Sequence, residues 1–269
     1  MTAGENSKYW ALILGASSGF GGATAIRLAK DGYNIFGVHL DRAATMPQVE
    51  DTIAQIKAAG AEAIFFNVNA ADAFKRKEIV QKIVKQLKGK PLIKVIMHSL
   101  AFGALRPFIS STNDQMTKAQ MEMTLDVMAH SLVYWVQEVF SNKLLTERCR
   151  IFAMTSSGAH TIIPFYGAVS AAKAALESHV RQLAVELGVI KAGVNAIMAG
   201  VTDTPALRKI PGNKEMIHIA VTKNPQKRLT TPEDVANIIS VLCRDGGEWI
   251  SGGVINADGG EDIASYMGD

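Results

Sequence analysis

A tyrosine and a lysine with six residues between them stand in the stretch YGAVSAAK, from Tyr166 to Lys173. If this stretch is helical, a separation of seven residues is close to two full turns, so both side chains project from one face. A phenol beside an ammonium group can act as a proton donor with an electrostatic helper. The exposed start of an ordinary helix would fit the same residues, and the rest of the chain must decide between these interpretations.

A glycine-rich turn, Gly15-Ala-Ser-Ser-Gly-Phe-Gly21, follows the apolar run WALIL. Glycines let a backbone approach a phosphate without a Cβ atom in the way, and the N-terminus of a helix offers N–H groups and a positive dipole end to a pyrophosphate. Tight packing of a strand against a helix would also need glycines. Because the turn lies between a predicted strand and a predicted helix, the sequence predicts a dinucleotide site.

Short apolar runs alternate with longer helical patterns along the whole chain. Strands are predicted at Trp10–Leu14, Tyr33–Leu40, Ala63–Val68, Leu92–Ser99, Arg150–Ser156, Gly193–Gly200 and Gly252–Asp258. Helices are predicted at Gly21–Asp31, Gln48–Ala59, Phe74–Leu87, Lys118–Leu145 and Tyr166–Leu187. Continuous apolar strands indicate a sheet covered on both faces, and strand–helix alternation indicates parallel connections. The sequence predicts an α/β fold: one doubly wound domain, residues 1–269, of seven parallel strands.

An insertion at 204–230 interrupts this alternation with three prolines and mixed charge. We expect it to lie over the carboxyl edge of the sheet, where doubly wound folds bind ligands, and to form a lid for the substrate.

Composition limits the function classes. Of the 269 residues, 48% are hydrophobic and 20% are charged, which is typical of a globular chain with a large core. The net charge of +3, without a lysine- or arginine-rich run, argues against binding to nucleic acid. No apolar run could cross a bilayer, and the first residues, MTAGENSKYW, lack the order of a signal peptide. Cys149 and Cys243 lie far apart without metal-ligand neighbours, so reduced thiols, no metal site and a cytoplasmic location are predicted.

These motifs together resemble the short-chain dehydrogenase/reductase family over essentially the whole chain. The spacing G-x-x-x-G-x-G is similar to that of this family rather than to the G-x-G-x-x-G of other Rossmann enzymes. The other similar parts are the Tyr166/Lys173 helix, Asn195–Gly200, Thr202-Asp-Thr204 and Asp258-Gly-Gly260. The resemblance implies a Rossmann-type fold, a nicotinamide cofactor and catalysis by Tyr166 and Lys173.

Cofactor contacts follow from the same resemblance. They are Gly15, Ser17, Ser18, Gly19, Phe20, Gly21, Asp41, Arg42, Asn67, Val68, Ser99, Leu100, Ala101, Lys173, Gly200, Val201, Thr202 and Thr204. The two threonines could equally form turns. At the end of the second strand, a carboxylate accepts hydrogen bonds from a ribose 2′-OH, whereas an arginine binds a 2′-phosphate. The chain has both Asp41 and Arg42 there, and the offset of Arg42 from Gly32 favours NADPH over NADH.

The spacing between Tyr166 and Lys173 selects a branch of the family. Ketone-reducing members usually have three residues between the two, and that place is Val169 here, which has no titratable group. The wider spacing is similar to that of the bacterial enoyl-acyl-carrier-protein reductases. Leu105–Phe108 and Asp203–Pro211 resemble the smaller NADPH-dependent enzymes of this kind found in bacilli.

Two further positions agree with that branch. The fourth strand ends Met97-His-Ser-Leu-Ala101, similar to the His-Ser ending of enoyl reductases rather than to the Asn-Asn-Ala-Gly of ketone reductases. Met128 aligns with the asparagine that relays protons in alcohol dehydrogenases. In contrast, Ser156 stands where the commoner enoyl reductases have a second tyrosine.

The resemblance implies a reaction of fatty acid synthesis. Hydride addition to the β-carbon of an enoyl thioester leaves an enolate, whose oxygen Tyr166 would hydrogen-bond. Lys173 would hold the nicotinamide ribose and lower the pKa of the tyrosine. Ser156 would orient the substrate or the cofactor, or only cap the end of its strand. The implied substrate contacts are Phe102, Tyr166 and Leu207.

Two alternatives stay open. A ketone, 3-oxoacyl or hydroxysteroid reductase would use Ser156 as its catalytic serine, since Ser156 precedes Val169 by the thirteen residues that such enzymes use, although the tyrosine is missing. A non-catalytic NADP-sensing regulator on the same fold would have no need of the Tyr166/Lys173 pair.

Basic residues in the insertion point to a partner. They are Arg208, Lys209, Lys214, Lys223, Lys227 and Arg228. Because acyl carrier proteins are strongly acidic, these residues would steer a carrier-bound substrate, an acyl-CoA thioester being the other form; alternatively they only solubilise a loop.

A homotetramer is predicted as well. The helices Lys118–Leu145 and Tyr166–Leu187 carry more apolar positions than one sheet face needs, and paired helices of this kind form the dimer contact in the resembled family. Examples of these positions are Leu132, Val133, Trp135, Val136, Leu176 and Val180.

Overall fold

Seven strands form at the predicted apolar runs in the computed structural model, which describes residues 7–265. They are β1 (Trp10–Leu14), β2 (Asn34–His39), β3 (Ala63–Asn67), β4 (Ile93–His98), β5 (Leu145–Thr155), β6 (Gly193–Ala199) and β7 (Val254–Ala257). The sheet has the order β3-β2-β1-β4-β5-β6-β7, and every neighbouring pair is parallel. All residues of β1, β2 and β4 are buried, as expected for strands covered on both faces. The predicted α/β fold with a doubly wound sheet of seven parallel strands is confirmed.

Helices cover both faces of the sheet. They are α1 (Gly19–Lys30), α2 (Met46–Ala58), α3 (Ala73–Leu87), α4 (Lys118–Leu125), α5 (Ser131–Ser141), α6 (Gly167–Glu186), α7 (Asn213–Lys223) and α8 (Pro232–Leu242). One core contains Leu28 of α1 and Ile239 of α8, and the other contains Ile79 of α3, Trp135 of α5 and Leu176 of α6. The strand order reverses between β1 and β4, so a crevice opens at their carboxyl ends, where doubly wound sheets bind ligands.

The prediction of one long helix at Lys118–Leu145 is wrong in two ways, because the helix is interrupted and ends earlier. One turn of π-helix, Asp126–His130, separates α4 from α5, and α5 ends at Ser141. The chain then passes through Lys143, whose φ of 57° is left-handed, and enters β5 at Leu145. A π turn inserts a residue while both flanking helices keep their buried faces, so apolar periodicity does not predict it.

The insertion 204–230 separates β6 from α8, as predicted, but part of it is regular. Leu207–Lys209 form a short 3₁₀ turn, and α7 follows Gly212, whose φ of +78° favours glycine. The predicted irregular lid therefore contains a helix of three turns.

The apolar positions cited above for a homotetramer are used inside the chain. The core contains Leu132, Trp135, Val136, Leu176 and Val180, and Val133 packs against it. This reason for an assembly is therefore wrong, and the homotetramer stays a prediction from family resemblance alone.

Both cysteines are buried and free, as predicted. Burial raises the pKa of Cys149 and of Cys243 to about 12, so both thiols stay protonated and unreactive.

The remaining expectations concern the membrane and the chain ends. Within residues 7–265, no helix has the length and apolar character that a membrane span requires. Residues 1–6, in the stretch tested for a signal peptide, and residues 266–269 of the predicted domain lie outside the described residues.

Candidate active site

Most of the sequence-predicted site residues meet at one edge of the sheet. Because all seven strands are parallel, the segments that follow β1, β2, β4, β5 and β6 leave the sheet on the same side. Ser99, directly after β4, donates its N–H to Leu14 O of β1 at 2.8 Å, which joins the two sides of the crevice.

The glycine turn fits closely against β4. Gly15 has a φ of +90°, and a Cβ atom there would collide with the carbonyl oxygen of Ser99 and lie 3.5 Å from Leu100. A Cβ atom at Gly21 would collide with the Gly15 carbonyl. Both glycines are therefore needed for the turn itself, as the packing interpretation proposed.

The same turn also leaves a place for an anion. Ser18 precedes α1 in an extended conformation, and no side chain within residues 7–265 caps that helix. The N-terminus of α1 thus presents backbone donors and a positive dipole end at the crevice. These features fit a pyrophosphate, with Ser17, Gly19 and Phe20 beside it.

A network of hydrogen bonds fixes the end of β2. Asp41 donates its N–H to Asn67 Oδ1 at 3.0 Å and accepts from Asn67 Nδ2 at 2.9 Å, and its carboxylate lies 2.9 Å from His39 Nδ1. Burial alone would raise the pKa of this carboxyl group, but hydrogen bonds with Ser17, Thr45 and His39 outweigh burial and hold that pKa below its usual value. The carboxylate therefore stays ionised next to the glycine turn.

Arg42 is placed differently. Its residue is exposed, and its side chain has no ion-pair partner among residues 7–265. Val68, on the neighbouring β3 side, is partly buried and donates its N–H to His39 O at 2.7 Å. Of the two residues predicted to select the cofactor, Asp41 is fixed in the crevice and Arg42 lies at its outer side.

Tyr166 and Lys173 lie at the start of α6, but not as predicted. The helix begins at Gly167, so Tyr166 is the residue before it rather than a residue on its face. The Tyr166 ring packs on Gly158, where a Cβ atom would lie 2.7 Å from the ring. Lys173 is only 5% exposed, and its Nζ donates to Met154 O of β5 at 2.6 Å.

The pKa values of this pair correct a second expectation. Burial raises the pKa of Tyr166 above its ordinary value, and a hydrogen bond with Ser156 offsets only part of that effect. Burial also lowers the pKa of Lys173 to about 8, against the opposing charge of Glu177. The prediction that Lys173 lowers the pKa of the tyrosine is wrong for this structure, because burial of the phenol dominates. Tyr166 is protonated at neutral pH and can donate a hydrogen bond.

Ser156 has a capping role. Its Oγ accepts the N–H of Gly158 at 3.1 Å, which holds the loop after β5 against the Tyr166 ring. The capping interpretation of this serine is confirmed, and its contact with Tyr166 leaves it close to the reacting groups as well.

His98 has a role that the sequence alone does not predict. This side chain is fully buried at the end of β4, and its Nε2 lies 2.8 Å from Ser131 Oγ, which itself donates to Val127 O at 2.8 Å. Nε2 therefore carries the proton that Ser131 accepts. Burial and the charge of Lys173 lower the pKa of His98 to about 3, so the imidazole is neutral and ties β4 to the π turn. The His-Ser ending was noticed in the sequence, but Ser131 gave no signal.

Glu261 is another residue whose role the sequence alone does not predict. It is 8% exposed, and its Oε1 accepts the N–H of Val201 at 3.0 Å. Its other oxygen and the Thr230 hydroxyl occupy the space that a Cβ atom at Gly200 would need. Glu261 and Gly200 together hold the segment after β6 at the edge of the crevice. Only its position after the Asp258-Gly-Gly260 motif could have pointed to it.

Thr202 and Thr204 make the turn contacts that were the alternative to cofactor binding. Thr202 Oγ1 donates to Gly200 O at 3.0 Å, and Thr204 Oγ1 accepts the N–H of Leu207 at 3.2 Å. A Cβ atom at Gly19 would lie 3.7 Å from Thr204 Cγ2, so the segment after β6 also reaches the glycine turn. Thr204 thus combines a turn contact with a place beside the crevice.

Exposed apolar residues lie in the loops after β4 and β5, the second of which leads to Tyr166, and together they are called the apolar rim. It consists of Phe102, Phe108, Ile109, Ile162 and Phe165, all of them exposed. Phe108 lies against Gly167, where its ring fills the space of a Cβ atom, and the neighbouring Gly103 lies against Val169 of α6. Leu207, predicted as a substrate contact, lies in the short 3₁₀ turn of the insertion and is buried. The rim offers apolar surface to a ligand whose reacting end lies at Tyr166.

Comparisons with known proteins agree with this fold. The family model described as Enoyl-(Acyl carrier protein) reductase matches residues 15–261. Versicolorin reductase 1 of Aspergillus parasiticus is 26% identical over 262 residues, which cover 93% of this chain and 95% of that protein. Enoyl-[acyl-carrier-protein] reductase [NADH] of Nostoc sp. is 33% identical over 171 residues, which cover 64% of this chain and 65% of that protein.

A solved structure is similar over nearly the full length. Enoyl-[acyl-carrier-protein] reductase (NADH) of Aquifex aeolicus has a TM-score of 0.83 with this chain at 24% identity, and the match covers 97% of this chain and 98% of that one. At this identity the likeness shows the fold.

Proposed function

The chain belongs to the short-chain dehydrogenase/reductase family of NAD(P)-dependent oxidoreductases, and from this premise we propose that it reduces the trans-2 double bond of an enoyl thioester. The observation that carries the proposal is the position of Tyr166, a protonated phenol at the start of α6. Val169, which stands where ketone reductases have their proton donor, is apolar and buried. The apolar rim beside Tyr166 suits an acyl chain.

The chemistry divides between the cofactor and the side chains of this protein. A nicotinamide cofactor supplies the hydride when it is bound. Tyr166 would donate a hydrogen bond to the thioester oxygen, where negative charge develops, and its raised pKa keeps it protonated for that purpose; the enolate then takes a proton from water at its α-carbon to give the saturated thioester. Lys173, whose Nζ donates to Met154 O, would hold the nicotinamide ribose and add positive charge nearby. Ser156 holds the loop that packs on Tyr166.

Labelled coenzyme tests the reaction type. With deuterium at the transferred position of the nicotinamide, we expect the label at the β-carbon of a saturated thioester, observed by NMR. Label on the carbinol carbon of a 3-oxoacyl thioester offered in parallel, with the enoyl thioester left unreduced, would show carbonyl reduction instead.

We propose that the coenzyme is NADH, although the offset of Arg42 favoured NADPH. The ionised Asp41 carboxylate is hydrogen-bonded to Ser17 of the glycine turn and to His39, so a 2′-phosphate would meet a negative charge there. We expect kcat/KM to favour NADH by about tenfold or more, since like charges at contact cost several kcal/mol. Asp41→Ser should reduce that preference.

Arg42→Ala is the matched control for Asp41→Ser. It removes a neighbouring exposed charge and should leave the preference for NADH unchanged. A preference for NADPH that Arg42→Ala abolishes would show that the arginine selects the coenzyme.

A second candidate is a carbonyl reductase. It is favoured by the match to versicolorin reductase 1, which spans 93% of this chain, whereas the match to the Nostoc enoyl reductase spans 64%. In that case Ser156 and Tyr166 would together polarise a carbonyl group, and the label would appear on a carbinol carbon.

We further propose an acyl carrier protein as the form in which the substrate arrives. Two of the basic residues of the insertion are already held by carboxylates: Arg208 by Asp203 at 2.8 Å and Arg228 by Asp234 at 2.5 Å. Lys209 and Lys214 are exposed and have no such partner among residues 7–265. Lys227 is exposed as well, but its Nζ donates to Thr222 O at 2.7 Å, so Lys209 and Lys214 are the residues to which an acidic partner would most readily add a new ion pair.

Ionic strength and charge reversal test the carrier. We expect kcat/KM for a carrier-bound enoyl substrate to fall steeply as the salt concentration rises, because exposed charges are screened over about 10 Å at 0.1 M. The kcat/KM for a small uncharged thioester should not change with salt. Lys209→Glu with Lys214→Glu should raise KM for the carrier-bound substrate only. Lys85→Glu, on the remote α3, is the control. Equal salt dependence for both substrates would contradict a role for an acidic protein.

A further inference from the structure

The turn that delivers Tyr166 to the site contains an unfavourable residue. Tyr166 donates its N–H to Ile163 O at 3.1 Å, which closes a turn with Pro164 and Phe165 at its centre. Phe165 has a φ of +64°. Turns with proline first and a positive φ second strongly favour glycine or asparagine at the second position, because a Cβ atom is crowded there. A phenylalanine in this place is strained.

The residue type sets Phe165 apart from the other strained positions. Within residues 7–265, the other non-glycine residues with positive φ are Lys88, Asn113, Lys143, Arg148, Lys191 and Lys227. All six are polar, and none is aromatic. Long polar side chains extend into water from such turns, whereas an exposed aromatic ring gains nothing from water.

Burial does not compensate for the strain. Phe165 remains 44% exposed, so its ring is not held in a core that would favour it over glycine or asparagine. Backbone strain of this kind concentrates at functional sites, where another requirement keeps the residue in place. The requirement must come from something that the folded chain alone does not provide.

The residues around Phe165 indicate that this requirement is contact with a ligand. Phe165 directly precedes Tyr166, and its neighbours in the apolar rim are Ile162 of the same loop and Phe108, which lies on Gly167. A ligand with its reacting carbonyl at Tyr166 would have to leave the site across this rim. Phe165 is the residue of the rim that is closest in the chain to Tyr166.

We propose that Phe165 is a substrate-contacting residue that selects for long apolar chains. This proposal rests on the proposed function in one respect: the substrate must carry an acyl chain whose thioester oxygen lies at Tyr166. The chain beyond the first carbons packs on the Phe165 ring, so short substrates gain less from it than long ones. The strained turn holds the ring outward, where a relaxed turn with a smaller residue would leave the chain exposed to water.

Two substitutions separate the ring from the turn. Phe165→Asn replaces the ring with a small polar side chain that tolerates a positive φ. Phe165→Gly removes the side chain altogether and, with it, the strain. For each variant, kcat and KM are measured with crotonyl and with trans-2-dodecenoyl pantetheine thioesters. We divide kcat/KM for the dodecenoyl thioester by kcat/KM for the crotonyl thioester, and we expect this ratio to fall about tenfold or more, mainly because KM for the long substrate rises. A change of this size corresponds to about two methylene groups of the acyl chain that are no longer buried.

Thermal unfolding completes the test. Both variants should unfold at or above the wild-type temperature, because the strain is relieved, so a lower ratio cannot come from a damaged fold. Lys143→Gly, at a remote turn with a φ of 57°, should relieve similar strain and leave the ratio unchanged.

The outcomes distinguish this proposal from the proposed function. A ratio that stays within twofold of wild type in both Phe165 variants would overturn the role of the ring, whatever the variants do to stability. If wild type reduces ketones and not enoyl thioesters, the proposed function fails, and the same ratio measured on long and short 2-alkanones decides about Phe165.

Discussion

Tyr166→Phe should lower kcat by about 10²–10³-fold with an enoyl thioester, while the affinity for the coenzyme stays near that of wild type. The substitution removes one hydroxyl group that donates to the oxygen where charge develops, and loss of one such donor typically costs about 2.7–4 kcal/mol of barrier. The ring that packs on Gly158 is retained, so the loop after β5 keeps its support. Steady-state rates and coenzyme titration by fluorescence measure the two effects separately.

Tyr134→Phe is the matched control. It removes a phenolic hydroxyl from α5, and the Tyr134 ring would still lie beneath the guanidinium of Arg76 at 5.2 Å. We expect this variant to keep its full kcat. If Tyr166→Phe also kept full kcat, Tyr166 would not donate the hydrogen bond that stabilises the thioester oxygen.

Lys173→Met should weaken coenzyme binding by about tenfold or more and lower kcat/KM by about 10²-fold or more, since a buried charge-assisted donor is removed from the ribose and from the transition state. Methionine preserves most of the apolar stem, so the packing of α6 on β5 is retained. The two readouts separate this residue from Tyr166, whose loss should affect kcat alone. An unchanged coenzyme affinity would contradict the proposed contact with the ribose.

The pH dependence of the same variant is an additional check. Burial lowers the pKa of Lys173 to about 8, so kcat/KM should fall as the pH rises past that value and the ammonium group loses its proton. Tyr166 does not add to this fall, because burial raises its pKa above the ordinary value. Lys173→Met should lack this alkaline decline.

Stability should change in the opposite direction over the same pH range. The folded protein binds the Lys173 proton less tightly than the unfolded chain, whose lysine has the ordinary pKa of 10.5. This residue therefore makes the free energy of unfolding rise with pH between about 8 and 10.5. Denaturant titrations should show that rise in wild type and a smaller one in Lys173→Met.

The sequence predicts the frame of the site because the frame depends on simple patterns. Buried parallel strands are continuous apolar runs, and the run Trp10–Leu14 forms β1 with the predicted bounds. Parallel connections then bring the strand ends to one edge, so the glycine turn and the end of β2 must meet there. Gly15 and Gly21 are explained by the contacts that a Cβ atom would make.

The details of the site depend on contacts between distant residues, which a single sequence does not reveal. Ser131 is 33 residues from His98, and Glu261 is 60 residues from Val201, yet each pair is joined by one hydrogen bond. The start of α6 after Tyr166 follows from the turn at Phe165, a residue that turn preferences would exclude.

The ion pairs of the insertion are another detail that the sequence alone does not reveal. The sequence contains six basic residues there, but the ion pairs of Arg208 with Asp203 and of Arg228 with Asp234 become known only from the fold. Their partners are near in sequence, yet a count of charges does not tell which side chains remain available to another protein.

The most direct test of the central claim is a comparison of two four-carbon thioesters, one with an α,β double bond and the other with a ketone at the β-carbon. Coenzyme oxidation is followed at the nicotinamide absorbance with crotonyl and acetoacetyl pantetheine, each with NADH and with NADPH. The site predicts turnover of the crotonyl thioester and only the background rate with the acetoacetyl thioester. Turnover of acetoacetyl with none of crotonyl would contradict enoyl reduction and establish a carbonyl reductase.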